Sequence, residues 1–261
     1  MKDCPWWAPP VLAVQFLTRI PVPGTAGLSP DTVKIGLVRA VGWFPLVGAF
    51  VGAITAATAL VAMQFWPVFV AVVLALAVEA RLTGAFHEDA VADFCDAFGG
   101  GQTADDVRRI MKDSRIGSYG AVGLGLALAL RAGLMVAVLQ SMPPVEAGLA
   151  IVAAASFGRL VVVALMVVVP AAPAGEGLAR DIASGVGWKT LALALLMALP
   201  ALLPVALEAP VRLLAAFIAG LLFIFWFRRL LLRRIGGCTG DCLGFAAYAG
   251  QLLLLLAIAA R

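Results

Sequence analysis

Apolar residues fill long, nearly unbroken blocks of this chain, and polar residues gather in the gaps between them. Helical blocks of about 18 residues or more are long enough to cross a hydrocarbon core of roughly 30 Å. The pattern predicts seven spans, near 40–63, 65–86, 119–142, 147–169, 190–207, 211–231 and 243–260. A shorter stretch at 9–20 is expected at the interface. The fold class is therefore all-α: a polytopic helical membrane protein of about seven transmembrane helices (six to eight), with residues 1–261 forming one integral-membrane catalytic domain. Glu79 and Arg81 fall late in the second span, where they either pair or reach for its end. Arg131 and Arg159 fall inside the third and fourth. Ionisable residues at such positions mark either function or a structural ion pair, and both readings stand at this point.

Composition agrees. Hydrophobic residues make up 63% of the chain and charged residues 13%, and the mean hydropathy is +1.03, which excludes an ordinary soluble domain. The opening "MKDCPWWAPPVLAVQFLTRIP" is too short in its apolar part, and too broken by proline, to be expected as a signal peptide. Four scattered cysteines offer no disulfide framework, and "CTGDC" (238–242) lacks the second Cys/His pair of a zinc site. With the N-terminus placed in the cytoplasm, fourteen Lys and Arg fall in inner segments, and only Arg212 and Arg261 fall in outer ones. The positive-inside rule then orients the chain. Its long loops, 87–118, 170–189 and 228–242, are all expected on the cytoplasmic face. Lipid is the expected surrounding, and no nucleic-acid partner is expected.

The first of these loops opens with "GAFHEDAVADFCDAFGGG" (84–101), which holds the only histidine of the chain, His87, and four acids. If 89–96 is helical, Asp89, Asp93 and Asp96 share an arc of about 60° at 100° per residue. Carboxylates so close raise one another's pKa and call for a cation. Oxygen-only ligands suit Mg2+, with Mn2+ as a substitute. Glu88 stands beside them as a further ligand, and His87 as a base or a supporting group. Because Mg2+ is usually held by one or two carboxylates plus substrate phosphates, a phosphate ester or anhydride is the natural substrate.

A matching cationic segment follows. "DDVRRIMKDSRIGSYG" (105–120) offers Arg109, Lys112, Ser114, Arg115 and the amide of Gly117 as a phosphate cradle, with Asp113 as a second candidate base. Near the end, "RRIGGCTGD" (233–241) adds Gly236, Gly237, Thr239 and Gly240 as a backbone-lined anion site, and Asp241 as a distant metal ligand.

These segments together resemble one family, the cobalamin synthases, or adenosylcobinamide-GDP ribazoletransferases. The family pattern T-R-[IL]-P, H-x-D-G-x-x-D-x-x-D-G, I-M-K-D-S-R-x-G-x-Y-G and G-G-x-T-G-D is matched by "TRIP" (18–21), "HEDAVADFCDA" (87–97), "IMKDSRIGSYG" (110–120) and "GGCTGD" (236–241). Ala90 and Ala97 replace glycines of that pattern, the stretch 169–181 differs from it, and Tyr248 and Gln251 stand where acids are common. The resemblance implies transfer of the adenosylcobinamide phosphoryl group from adenosylcobinamide-GDP to α-ribazole or its 5′-phosphate, with Mg2+, releasing GMP. It also brings Arg19 of "TRIP" in as a phosphate ligand. A homo-oligomer, or association with other late enzymes of the pathway, is compatible with it. The runner-up is a CDP-alcohol phosphotransferase, whose D-G-x-x-A-R…G-x-x-x-D-x-x-x-D pattern is missing here. A transporter ranks below that, because no internal repeat is visible.

Overall fold

The computed structural model describes residues 4–173, 182 and 185–260. The short apolar stretch forms α1 (Ala8–Leu17), and α2 (Pro30–Ala40) continues through a tight turn into α3 (Phe44–Ala62). The second span is α4 (Val68–Thr83), which ends where Gly84 takes the left-handed conformation at φ 75°. A residue without a Cβ fits that helix stop best. The chain then turns by 90° into α5 (Phe86–Gly100), followed by the short α6 (Ala104–Met111). The remaining spans are α7 (Ser118–Ser141), α8 (Pro144–Val168), α9 (Trp188–Glu208), α10 (Pro210–Arg234) and α11 (Gly240–Ala259). Proline in the first turn starts α8 and α10, where its missing N–H costs nothing.

Among the described residues six helical segments are long and apolar enough to cross a membrane, and counting the bent pair α4–α5 as one span gives seven. The protein is a multi-pass, all-helical membrane protein, and the seven expected spans match these helices to within a few residues. At 16 residues α4 is the shortest span, about 24 Å long. Helix α5 packs against α7 and α11, with Asp96 at the start of α7 and Glu88 beside Arg131 further along it.

The bundle is built around α8, which is buried along most of its length and packs against α3, α9 and α11. Lipid gives helices no hydrophobic reason to associate, so close approach of small residues does the work. A Cβ on Gly250 of α11 would stand 2.9 Å from the Cα of Gly158 in α8.

Where α4, α8 and α10 end and α5, α7 and α11 begin, the connections are stitched together. Residues Ala171 and Cys238 form a parallel bridge, with Cys238 N donating to Pro170 O at 2.8 Å. Arg234 Nη2 donates to Gly101 O at 2.7 Å, and Arg228 Nε to Val168 O at 3.1 Å. The motif-bearing segments are thereby gathered at one end. Most of the 169–181 stretch, including Arg180, lies outside the described residues.

Candidate active site

Helix α5 has two faces, and they do different things. Asp89, Asp93 and Asp96 point outward from the bundle end, with Asp89 exposed and the other two half-buried. Asp93 feels Asp89, Asp96 and, from the first turn of α11, Asp241. Burial first, and then these three negative neighbours, push its carboxyl up to about 6. Two helices far apart in sequence thus bring carboxylates to one place. They meet where Gly244 of α11 lies directly on Ala90 of α5, so closely that a Cβ on Gly244 would collide with that of Ala90. Ala90 and Ala97 are both buried on the inner face. A methyl is the largest group the crossing admits at 90, and as a helix former alanine exceeds glycine by about 1 kcal/mol. The two departures from the family pattern are therefore compatible with the packing.

Asp96 is engaged differently from its neighbours. Its Oδ2 accepts from Gly117 N and its Oδ1 from Gly120 N, both at 2.7 Å. These amides belong to the start of α7, so the carboxylate caps that helix, where a negative charge is favoured. A side chain on Gly120 would run into Asp96 and lie 2.8 Å from Ala92 O. The glycines of "SRIGSYG" are thus explained by the seating of a carboxylate. The Gly117 amide, expected to face phosphate, donates to Asp96 instead. Among the described residues no three Asp, Glu, His or Cys side chains stand close enough to enclose an ion on their own. The three-carboxylate clamp expected from the helical arc is not formed in this arrangement.

His87 lies about 120° or more round the helix from the aspartates, and Glu88, about 80° from Asp96, turns to the other side of the arc. His87 is buried, with the Phe86 ring edge-on at 5.4 Å. Burial, reinforced by the positive charges of Arg159 and Arg131, keeps its imidazole neutral, well below its ordinary pKa. It lines a cavity of about 50 Å3 with Phe16, Phe44, Phe86, Arg159 and Gly244. Glu88 turns towards Arg131, Oε1 to Nη1 at 3.6 Å, and burial raises its pKa despite that cation. Neither residue stands with the aspartates as expected.

Arg131 is the hub beneath α5. Its Nη2 lies 2.8 and 2.6 Å from the two carboxylate oxygens of Glu79, whose Oε2 also accepts from Thr55 at 2.7 Å. Its guanidinium sits over the Tyr248 ring, 5.4 Å from the centroid. The partner of Glu79 is therefore Arg131, 52 residues on, rather than the neighbouring Arg81. Helices α3, α4, α5, α7 and α11 all meet at this pair.

The cationic loop lies beside the acidic face because Asp96 holds Gly117. Lys112, Ser114 and Arg115 are exposed there. Asp113 accepts from Arg115 N, Nε and Nη2 at 3.1, 3.0 and 2.8 Å. These hydrogen bonds hold its carboxyl down at about 2, so it orients Arg115 and is a weak base. Arg109 pairs with Asp106 on the exposed side of α6 at 3.2 Å. Of the second glycine motif, Gly236 (φ 76°) closes α10, its N–H on Leu231 O, and Gly237 lets the 171–172 backbone pass. Thr239 caps α11, accepting from Cys242 N at 3.4 Å. Gly240 lines the inner cavity, leaving Asp241 as the residue of this motif that faces the acidic cluster. Arg19 lines a separate surface groove with Arg81, which none of the aspartates lines.

Residues 10–259 match the family model described as cobalamin-5-phosphate synthase. A relative from Ralstonia pickettii (strain 12J) is 40% identical over 247 residues, covering 93% of this chain and 91% of its own. One from Ralstonia nicotianae is 41% identical over 246 residues (94% and 92%), and one from Leptothrix cholodnii 37% over 258 (92% and 93%). All three are named adenosylcobinamide-GDP ribazoletransferase. No solved structure gives a significant match. Neither the CDP-alcohol phosphotransferase nor the transporter reading is favoured by these relatives. With the match covering nearly the whole chain, and the acidic, cationic and glycine motifs gathered at one end of the bundle, the chain belongs to the cobalamin-5-phosphate synthase family.

Proposed function

We propose that this protein joins adenosylcobinamide-GDP to α-ribazole or its 5′-phosphate, giving adenosylcobalamin or its 5′-phosphate and GMP. The relatives' names supply the substrates. The observation that carries the chemistry is the meeting of Asp89 and Asp93 of α5 with Asp241 of α11, next to a cationic loop tied to α5 through Asp96. Burial first, and then the charges of Asp89, Asp241 and Asp96, raise Asp93's pKa, and a divalent metal would relieve the repulsive part. The donors are all carboxylate oxygens, and they are too few to enclose an ion. Both facts suit Mg2+, which completes its shell with water and substrate phosphates. Asp93 with one carboxylate neighbour, Asp89 or Asp241, would hold it together with water and substrate phosphates, and it would offset charge on the pyrophosphate and on the leaving GMP.

The chain's own part is positioning and proton handling. Lys112 and Arg115 face outward from the loop and bind phosphate oxygens, with Arg115 held in place by Asp113. A hydroxyl of the acceptor attacks the phosphorus nearer the corrinoid. A new O–P bond forms as the bond to the GMP oxygen breaks, and the hydroxyl proton leaves to a carboxylate of this face. His87, neutral and turned inward, packs beneath the helix. The positive-inside distribution supports a cytoplasmic site in the bacterial inner membrane.

The test is Asp93→Asn in purified enzyme, with GMP release followed across a Mg2+ titration. A loss of turnover by a factor of about 100, with a raised Mg2+ requirement, is expected for a carboxylate that holds the metal. Normal turnover with unchanged Mg2+ dependence would remove Asp93 from the site.

A further inference from the structure

A groove of about 820 Å3 runs along the outside of α3 and α4, between Ala57, Val61 and Trp66 on one side and Leu74, Ala77 and Val78 on the other. A second hollow of about 370 Å3 lies at the end of α4, among Arg19, Ile20, Pro21 and Leu82. Val78 and Arg81 line both, so the two form one continuous trough. It is apolar along the helices and cationic at one end. On α4 its lining runs from Leu74 to Leu82, about 12 Å at 1.5 Å per residue.

The cationic end is pre-arranged. Arg19 N donates to Leu82 O at 2.7 Å, which ties the residue to the last turn of α4. Its guanidinium packs over Gly84, filling the space a Cβ would need. Arg81 projects from the same last turn. Among the described residues neither guanidinium has a hydrogen-bond or ion-pair partner. Two exposed cations lining one hollow suit an anion with oxygens to share. No aspartate of the active site lines the trough, and its apolar walls, with Val61 and Phe65 largely exposed, face lipid. Charge at one end and grease along the rest describe a single occupant.

We propose that the trough binds one anionic phospholipid, its phosphate held between Arg19 and Arg81 and one acyl chain lying between α3 and α4. The test is native mass spectrometry of the detergent-released protein, titrated with phosphatidylglycerol or with phosphatidylcholine of the same chains. The protein should retain phosphatidylglycerol preferentially. Arg81→Ala and Arg19→Ala should each weaken it about fivefold, the effect of one cation near an anionic surface. Ala77→Trp, which fills the groove without changing charge, should weaken both lipids. Arg229→Ala, a charge loss elsewhere on the same membrane side, should leave retention unchanged. Equal loss with Arg229→Ala, or unchanged retention with both Arg81→Ala and Ala77→Trp, would overturn the proposal. So would displacement of the lipid by inorganic pyrophosphate, which would make the arginines a site for a soluble phosphate.

Discussion

Replacing Asp96 by asparagine separates two accounts of the acidic helix by sign. If Asp96 served only as a metal ligand, its removal without metal would relieve repulsion at Asp93 and stabilise the fold. The structure argues the reverse. Both carboxylate oxygens accept backbone amides of α7 at 2.7 Å. An asparagine keeps one acceptor, while its NH2 must face the other amide. Each charge-assisted bond is worth about 1.5–3 kcal/mol and a neutral one about 1. The substitution therefore forfeits one bond, weakens the other and strands a donor. The Gly117 bond is exposed and contributes at the low end, so the net loss should be about 1.5–3 kcal/mol. Removing the charge from the start of α7 adds up to about 1 kcal/mol. Relief at half-exposed Asp93, where Asp96 is the weakest of three neighbours, is worth well under 1 kcal/mol by roughly the surface ion-pair scale. The assay is unfolding in detergent micelles with EDTA present. Gly120→Ala, which removes no charge but drives a methyl into Asp96, should destabilise similarly and slow GMP release. If Asp96→Asn is as stable as the parent protein or more so without metal, the reasoning is refuted.

Arg131→Met should cost about 3–5 kcal/mol, because it strands the buried Glu79, whereas the double variant with Glu79→Leu should recover most of that; micelle unfolding of both reads the difference. Asp93's folded pKa of about 6 lies above the unfolded carboxylate value of about 3.9. The folded state therefore binds more protons between these limits, and on this group's account stability falls as pH rises from about 4 to 6. Proton and cation compete there, so the Mg2+ concentration for half-maximal turnover should be higher at pH 5.5 than at pH 7.5, and a value independent of pH would count against the assignment. Gly244→Ala should push α11 off α5 and lower turnover by displacing Asp241 from Asp93, and Ala90→Gly in the same protein should restore part of it.

The spans were legible because each is an apolar block closed by proline, glycine or charge, and backbone hydrogen bonding in lipid leaves such a block no alternative to helix. What could not be read was which groups meet. Glu79 invited pairing with Arg81, two residues away, yet on a helix those positions face apart by about 160°. Its partner Arg131 sits 13 residues into α7, whose first three turns run beside α5. Matching depths from span boundaries misses this, because α7 starts well before the level of α4's end.

The glycine motifs show the same limit at the site. A run such as "SRIGSYG" announces exposed amides at a helix start, and amides at such a place attract an anion. Sequence cannot say which anion. Here the carboxylate of Asp96 arrives first, from a helix that the same sequence arc had assigned to the metal. The arc is right about direction: Asp89, Asp93 and Asp96 do share the outward face. The third member is occupied, and its place beside Asp93 is taken by Asp241, brought in by the Ala90–Gly244 crossing. That substitution links the motifs mechanically. Asp96 ties the cationic loop to α5 and Ala90 ties α5 to α11, so the spacing between phosphate ligands and metal ligands is set by two small contacts on one 15-residue helix. Perturbing either contact should change turnover without removing any group that touches substrate.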